Sequence, residues 1–118
     1  MNALITRHTS NLYTKYVGNF ACGEKPVSVC KLQEFLADLS KSELLLTDFK
    51  WDEWYHNSHL VDRPEYIADA SLYECQLLLT AMVRLEKFSP GVMDNMRRQG
   101  VVIAILERIN MFSMKLAC

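Results

Sequence analysis

The sequence predicts an all-α fold: a single compact, irregular helical bundle, with residues 1–118 forming one domain around a central helix near 72–87. Three observations predict it. Apolar side chains recur at three- and four-residue spacing, the period of one helix face. No segment has convincing period-2 alternation, the mark of a half-buried strand. Glycine and proline number only 4 and 3, too few for a turn-rich sandwich or barrel. Half the residues are hydrophobic and 23% are charged, a globular composition that buries one core without disulfides.

The first helix is expected over 3–16, from Leu4, Ile5, His8, Leu12 and Tyr16. "VGNFACGEKP" (17–26) then reads as a loop, with two glycines and a proline. A second helix follows from about 27, where Leu32, Phe35, Leu36 and Leu39 share a face, and "SKSE" breaks it. In "TDFKWDEWYHN", Thr47 or Asp48 is a candidate N-cap. On a helix over 51–59, Trp51 and Trp54 point one way as core anchors, with Tyr55 at the edge. Asp52, His56 and His59 fall a third of a turn or more away, on the wetter face.

Pro64 opens a short helix behind Asp62 or Arg63. Ser71 and Glu74 have capping-box spacing. They introduce the central helix, where Leu72, Cys75, Leu79, Met82 and Val83 line one face and Leu77, Leu78 and Ala81 widen it. Ser89 and Pro90 read as cap and first residue of the next helix, and Gly100 as its stop after Arg97 and Arg98. The last helix carries Val102, Ile105, Leu106, Ile109 and Phe112 on one stripe.

The net charge of −1 hides three blocks. Residues 1–31 hold four bases and one acid, 32–75 hold three bases and ten acids, and 76–118 hold six bases and three acids. An acidic middle between mildly basic ends serves either partner binding or internal complementarity. The four cysteines, at 22, 30, 75 and 118, form no C-x-x-C pair, so a zinc knuckle is not expected. Cys30 and Cys75 lie in apolar stripes and read as small buried hydrophobes. "MNALITRHTSNL" lacks a signal-peptide core, and no apolar stretch reaches a membrane span. A cytoplasmic protein with reduced thiols is expected.

No P-loop, G-x-G-x-x-G or G-x-S-x-G frames a catalytic group, so no enzyme activity and no cofactor is expected. His56 and His59 with Asp52 have ligand spacing on a helix, but no fourth ligand is near in sequence; a metal-dependent enzyme using this pair ranks third. Arg84, Lys87, Arg97 and Arg98 surround a helix start, where anions or a nucleic-acid backbone bind; this nucleic-acid or anion-binding module is the runner-up.

Residues 49–109 also resemble a bacterial domain family of unknown function. The residues that carry the likeness are Phe49-Lys50-Trp51-Asp52-Glu53-Trp54, Ala70-x-Leu72, Leu78-Leu79-Thr80-x-x-Val83-Arg84, Phe88-x-x-Gly91 and Gly100-Val101-Val102-x-Ala104-Ile105-Leu106-Glu107-Arg108-Ile109. The likeness implies a helical domain of bacterial or phage origin and implies no activity. The family often has an acidic residue before the glycine matching Gly91, with a cysteine ahead of it. Ser89 and Pro90 stand there instead, so chemistry resting on that cysteine is absent.

The leading expectation is a small non-enzymatic protein that binds another macromolecule through an acidic surface of Asp48, Asp52, Glu53, Tyr55, His56, Asp62 and Glu65. Its protein partner would present a basic surface, such as that of a nucleic-acid-binding complex. A concrete form is a phage or mobile-element inhibitor of a host defence complex, anti-CRISPR-like.

Overall fold

Ser71 sets the start of the central helix. Its hydroxyl accepts from the Glu74 amide at 3.1 Å, and the Glu74 carboxylate accepts from the Ser71 amide at 3.0 Å, so the expected capping box forms in full. In the computed structural model this helix, Leu72–Phe88, is the fifth. The structure describes residues 12–18, 20, 26–41 and 44–117, with side chains as far as 112. Among them every regular element is helical: α1 (12–18), α2 (Val29–Lys41), α3 (Trp51–Asn57), α4 (His59–Asp62), a 3-10 helix (Pro64–Asp69), α5 (Leu72–Phe88), α6 (Val92–Arg98) and α7 (Val101–Ala117). The expected all-α bundle is the observed one. Leu77 through Val83 are all buried, two full turns of α5 enclosed on every side, as its broad apolar girth predicts.

α7 lies against α5 and the 3-10 helix, with Val101, Val102, Ile105, Leu106 and Ile109 buried. Arg108 ties this layer together by donating from Nε to the Ala70 carbonyl at 2.7 Å. α3 packs on another side of α5, and α6 wedges between α5 and α7. The first two helices meet through three aromatic rings: Tyr16 and Phe20 stack, and Phe35 meets both edge-on at 4.8 and 4.9 Å. Lys15 pairs with Glu34 and Asp38 at 2.8 Å each, and the Tyr16 hydroxyl donates to Asp38. One of the basic N-terminal residues thus meets the front of the acidic block. The radius of gyration, 13.2 Å, is that of a compact chain of this length.

Several expectations need correction. Residues 17, 18 and 20 are helical rather than loop, and Phe20 is buried, because its ring completes the aromatic cluster. Leu4, Ile5 and His8 lie outside the described residues, as do Cys22 and Cys118. Neither Thr47 nor Asp48 caps α3; Lys50 is its N-cap and makes no side-chain cap bond. The helix expected over 51–59 divides at Ser58, whose hydroxyl donates to the Tyr55 carbonyl, a local bond that competes with the helical ladder. Cys30 is exposed while Cys75 is buried, and burial pushes the Cys75 thiol up to about 12.

Ser89 does not cap α6 either. α5 runs through Phe88, and the Ser89 amide closes its last turn on the Leu85 carbonyl. The N-cap of α6 is Gly91, at φ 107°, a backbone region open to glycine. The cap itself comes from Glu86, whose carboxylate accepts from the Gly91 amide at 3.1 Å and the Met93 amide at 2.9 Å.

Candidate functional site

The segment 44–50 belongs to no helix, yet it is fixed along the outer face of α5. Gln76, Thr80 and Arg84 recur every four residues there, so they stand in one row on the helix surface. Each holds a different part of the segment. Gln76 donates to the Leu44 carbonyl at 3.1 Å. The Thr80 hydroxyl donates to the Gln76 carbonyl at 2.7 Å and accepts from the Leu46 amide at 2.8 Å. The Arg84 guanidinium lies over the Phe49 ring, 5.0 Å from its centre, and Phe49 meets Trp51 edge-on at 4.8 Å. We call segment 44–50 the strap. From its end α3 turns back along α5, where the Tyr73 hydroxyl donates to Glu53 at 2.6 Å. That hydrogen bond is the main reason the Tyr73 pKa is raised, with the negative charges of Glu53 and Asp48 adding to it.

Between strap and helix lies a groove of about 430 Å³. Leu45, Leu46, Trp51 and Val83 supply apolar lining, and Arg84, Lys87 and Phe88 complete it towards the end of α5. Phe88 is 81% exposed, the most exposed large hydrophobic side chain among the described residues. Trp51 is half-buried and lines this groove, so it is not the core anchor expected; Trp54, on the adjacent side of α3, does pack against the core.

The residues expected to bind a partner do not all fall together. Asp48, Asp52, Glu53, Tyr55 and His56 lie on the strap and α3. Asp48, Asp52, Tyr55 and His56 are exposed, Tyr55 to 70%, while Glu53 is half-buried and takes the Tyr73 hydroxyl. Asp62 and Glu65 are exposed beyond the break at Ser58, and Glu65 borders a separate hollow between the 3-10 helix and α7. His56 has its Nδ1 2.8 Å from the Asp52 carbonyl, a bond that engages the ring within its own helix turn. His59 is exposed, and among the described residues no three ligand-type side chains converge.

The four basic residues also separate. Arg97 is only 1% exposed and donates to Asp94 at 2.8 Å, and Arg98 donates to the other oxygen of that carboxylate at 2.9 Å. The α6 start, where an anion was expected, already receives the Glu86 carboxylate. Arg84 and Lys87 remain together on the groove. Sequence reasoning missed Trp51, Thr80 and Phe88 as groove residues. The available signal was a polar row, Gln76, Thr80 and Arg84, crossing the apolar middle of the helix.

Five residues that carry the family likeness, Trp51, Thr80, Val83, Arg84 and Phe88, line this one groove. No curated protein matches the chain, and no solved structure does. The model of a family described as "Family of unknown function (DUF6508)" matches residues 14–115, far more than half of the sequence, and the chain therefore belongs to that family.

Proposed function

We propose that this is a non-enzymatic protein that acts by binding another macromolecule through the acidic surface on the strap, α3 and α4. One observation supports the reading. The ion pairs of the fold engage Glu34, Asp38 and Asp94, whereas Asp48, Asp52 and Asp62 have no cation within 4 Å among the described residues. Carboxylates left facing water beside an exposed aromatic, Tyr55, suit a partner with a basic surface. The concrete form is a phage or mobile-element inhibitor that covers the nucleic-acid-binding face of a host defence complex.

The test replaces Asp48, Asp52 and Asp62 together by lysine. All three are exposed, so the helical circular dichroism is expected to persist. Affinity capture from host extract with the native chain is expected to return a stoichiometric protein that the triple variant does not hold. Added salt should weaken that complex, and a nucleic acid should compete for it. Recovery of no stoichiometric partner, or equal retention by the variant, overturns the proposal.

A further inference from the structure

We infer that the groove between the strap and α5 binds an amphipathic organic anion: a carboxylate or sulfonate on an aromatic or aliphatic body. The inference rests on other residues than the acidic surface and stands whether or not that surface has a partner. At about 430 Å³ the groove falls within the size range of small-molecule sites. Its lining divides in the way such a ligand requires. Leu45, Trp51, Val83 and the exposed ring of Phe88 offer apolar contact, and Arg84 and Lys87 offer positive charge.

Among the described residues no carboxylate neutralises that charge. Lys15, Lys31, Arg97 and Arg98 each face a carboxylate within 4 Å. Arg84 and Lys87 have none within that distance among the described residues. The Phe49 ring holds the Arg84 guanidinium by a cation–π contact, which positions it without consuming its hydrogen-bond donors. An anion arriving here meets a fixed fork able to grip two oxygens. The other polar groups of the lining are engaged within the fold, the Thr80 hydroxyl accepting from the Leu46 amide and the Ser40 hydroxyl donating to the Leu36 carbonyl, so recognition of a polar head falls to the two cations. A nucleic-acid backbone fits less well. It needs a row of cations, and this pair adjoins a strap carrying exposed Asp48.

The test is titration of the ¹⁵N-labelled protein with 2-naphthoate, followed by NMR. The two tryptophans give two indole N–H signals, and Trp51→Phe assigns them. The Trp51 signal is expected to move and saturate with a Kd of about 1 mM or tighter, while that of Trp54 stays. Arg84→Gln should weaken binding about tenfold, and Lys87→Gln, at an exposed position, about threefold. The neutral analogue 2-naphthamide should bind about tenfold more weakly, and inorganic phosphate should leave Trp51 unmoved. A still Trp51 signal up to about 10 mM naphthoate overturns the inference. So does naphthamide binding as tightly as naphthoate, phosphate shifting Trp51 as far, or single-stranded DNA binding more tightly. Should Arg84→Gln unfold the chain, Lys87→Gln decides: unchanged affinity in that variant removes the anionic component.

Discussion

Thr80 is 3% exposed, and its hydroxyl serves two main-chain groups, donating to Gln76 and accepting from Leu46. Replacing it by valine keeps the volume and removes the acceptor. The Leu46 amide then loses its partner, and Thr80→Val is expected to lower stability by about 1–3 kcal/mol, read from the urea midpoint, with Thr80→Ser nearer the native value. At this scale the sequence was legible where a residue acts on near neighbours. Burial of Cys75, Leu79 and Met82 follows from their spacing alone. It was illegible where a residue acts across the fold, because Thr80 and Leu46 are 34 positions apart and no periodicity links them. Arg97 marks the same limit. Next to Arg98 it reads as surface charge, but its side chain turns inward onto Asp94, and only the packing of α6 dictates which of the two adjacent arginines is enclosed.

Helix boundaries show which elements four contiguous residues can specify. The capping box at Ser71 was readable because both of its bonds lie within one turn. The start of α6 was not, because its cap is a carboxylate on the preceding helix, reached only after the chain reverses at Gly91. Glu86→Ala removes the acceptor for two amides at that start. It is expected to cost about 1–2 kcal/mol and to lower the protection of α6 amides, measured by NMR, with α2 unchanged. The division between α3 and α4 escaped detection for a related reason. The apolar spacing continues through it, while the Ser58 hydroxyl and the Asn57 amide turn back to carbonyls of their own segment.

Across the whole molecule, the docking of α1 on α2 gathers four titratable groups shifted from their ordinary values, Lys15, Tyr16, Glu34 and Asp38. Hydrogen bonds from Lys15 first, and from Tyr16 second, hold the Asp38 carboxyl below its ordinary value of 3.8. A lowered acid contributes stability above its unfolded pKa and loses it as pH falls through the folded one. Lys15 and Tyr16 are raised above 10.5 and 10.0, Lys15 chiefly by its bond to Asp38 and Tyr16 chiefly by burial. Their contribution is complete below those values and is lost as pH rises past them. Calorimetry is therefore expected to show the melting temperature falling below about pH 3.8 and again above about pH 10, with both slopes reduced in Asp38→Asn. The overall architecture was legible because helical period, few glycines and one helix with a broad apolar girth all favour the same bundle. The site was not, because the acidic block is continuous in sequence but parted by the Ser58 break, and the groove sets α5 against a strap whose Leu46 lies 34 positions from Thr80.

The strap has one more consequence, for how the molecule breathes. Its backbone is secured by side chains rather than by a ladder of its own, and the Leu46 amide hangs on the Thr80 hydroxyl. Such a segment can lift away while α5 stays wound, because no bond of the α5 backbone ladder runs through it. Hydrogen exchange at Leu46 then reports a local opening with its own free energy, smaller than that of complete unfolding. Detachment there would also carry away Leu45 and Leu46, which form one wall of the groove. A bound ligand would slow the same exchange event.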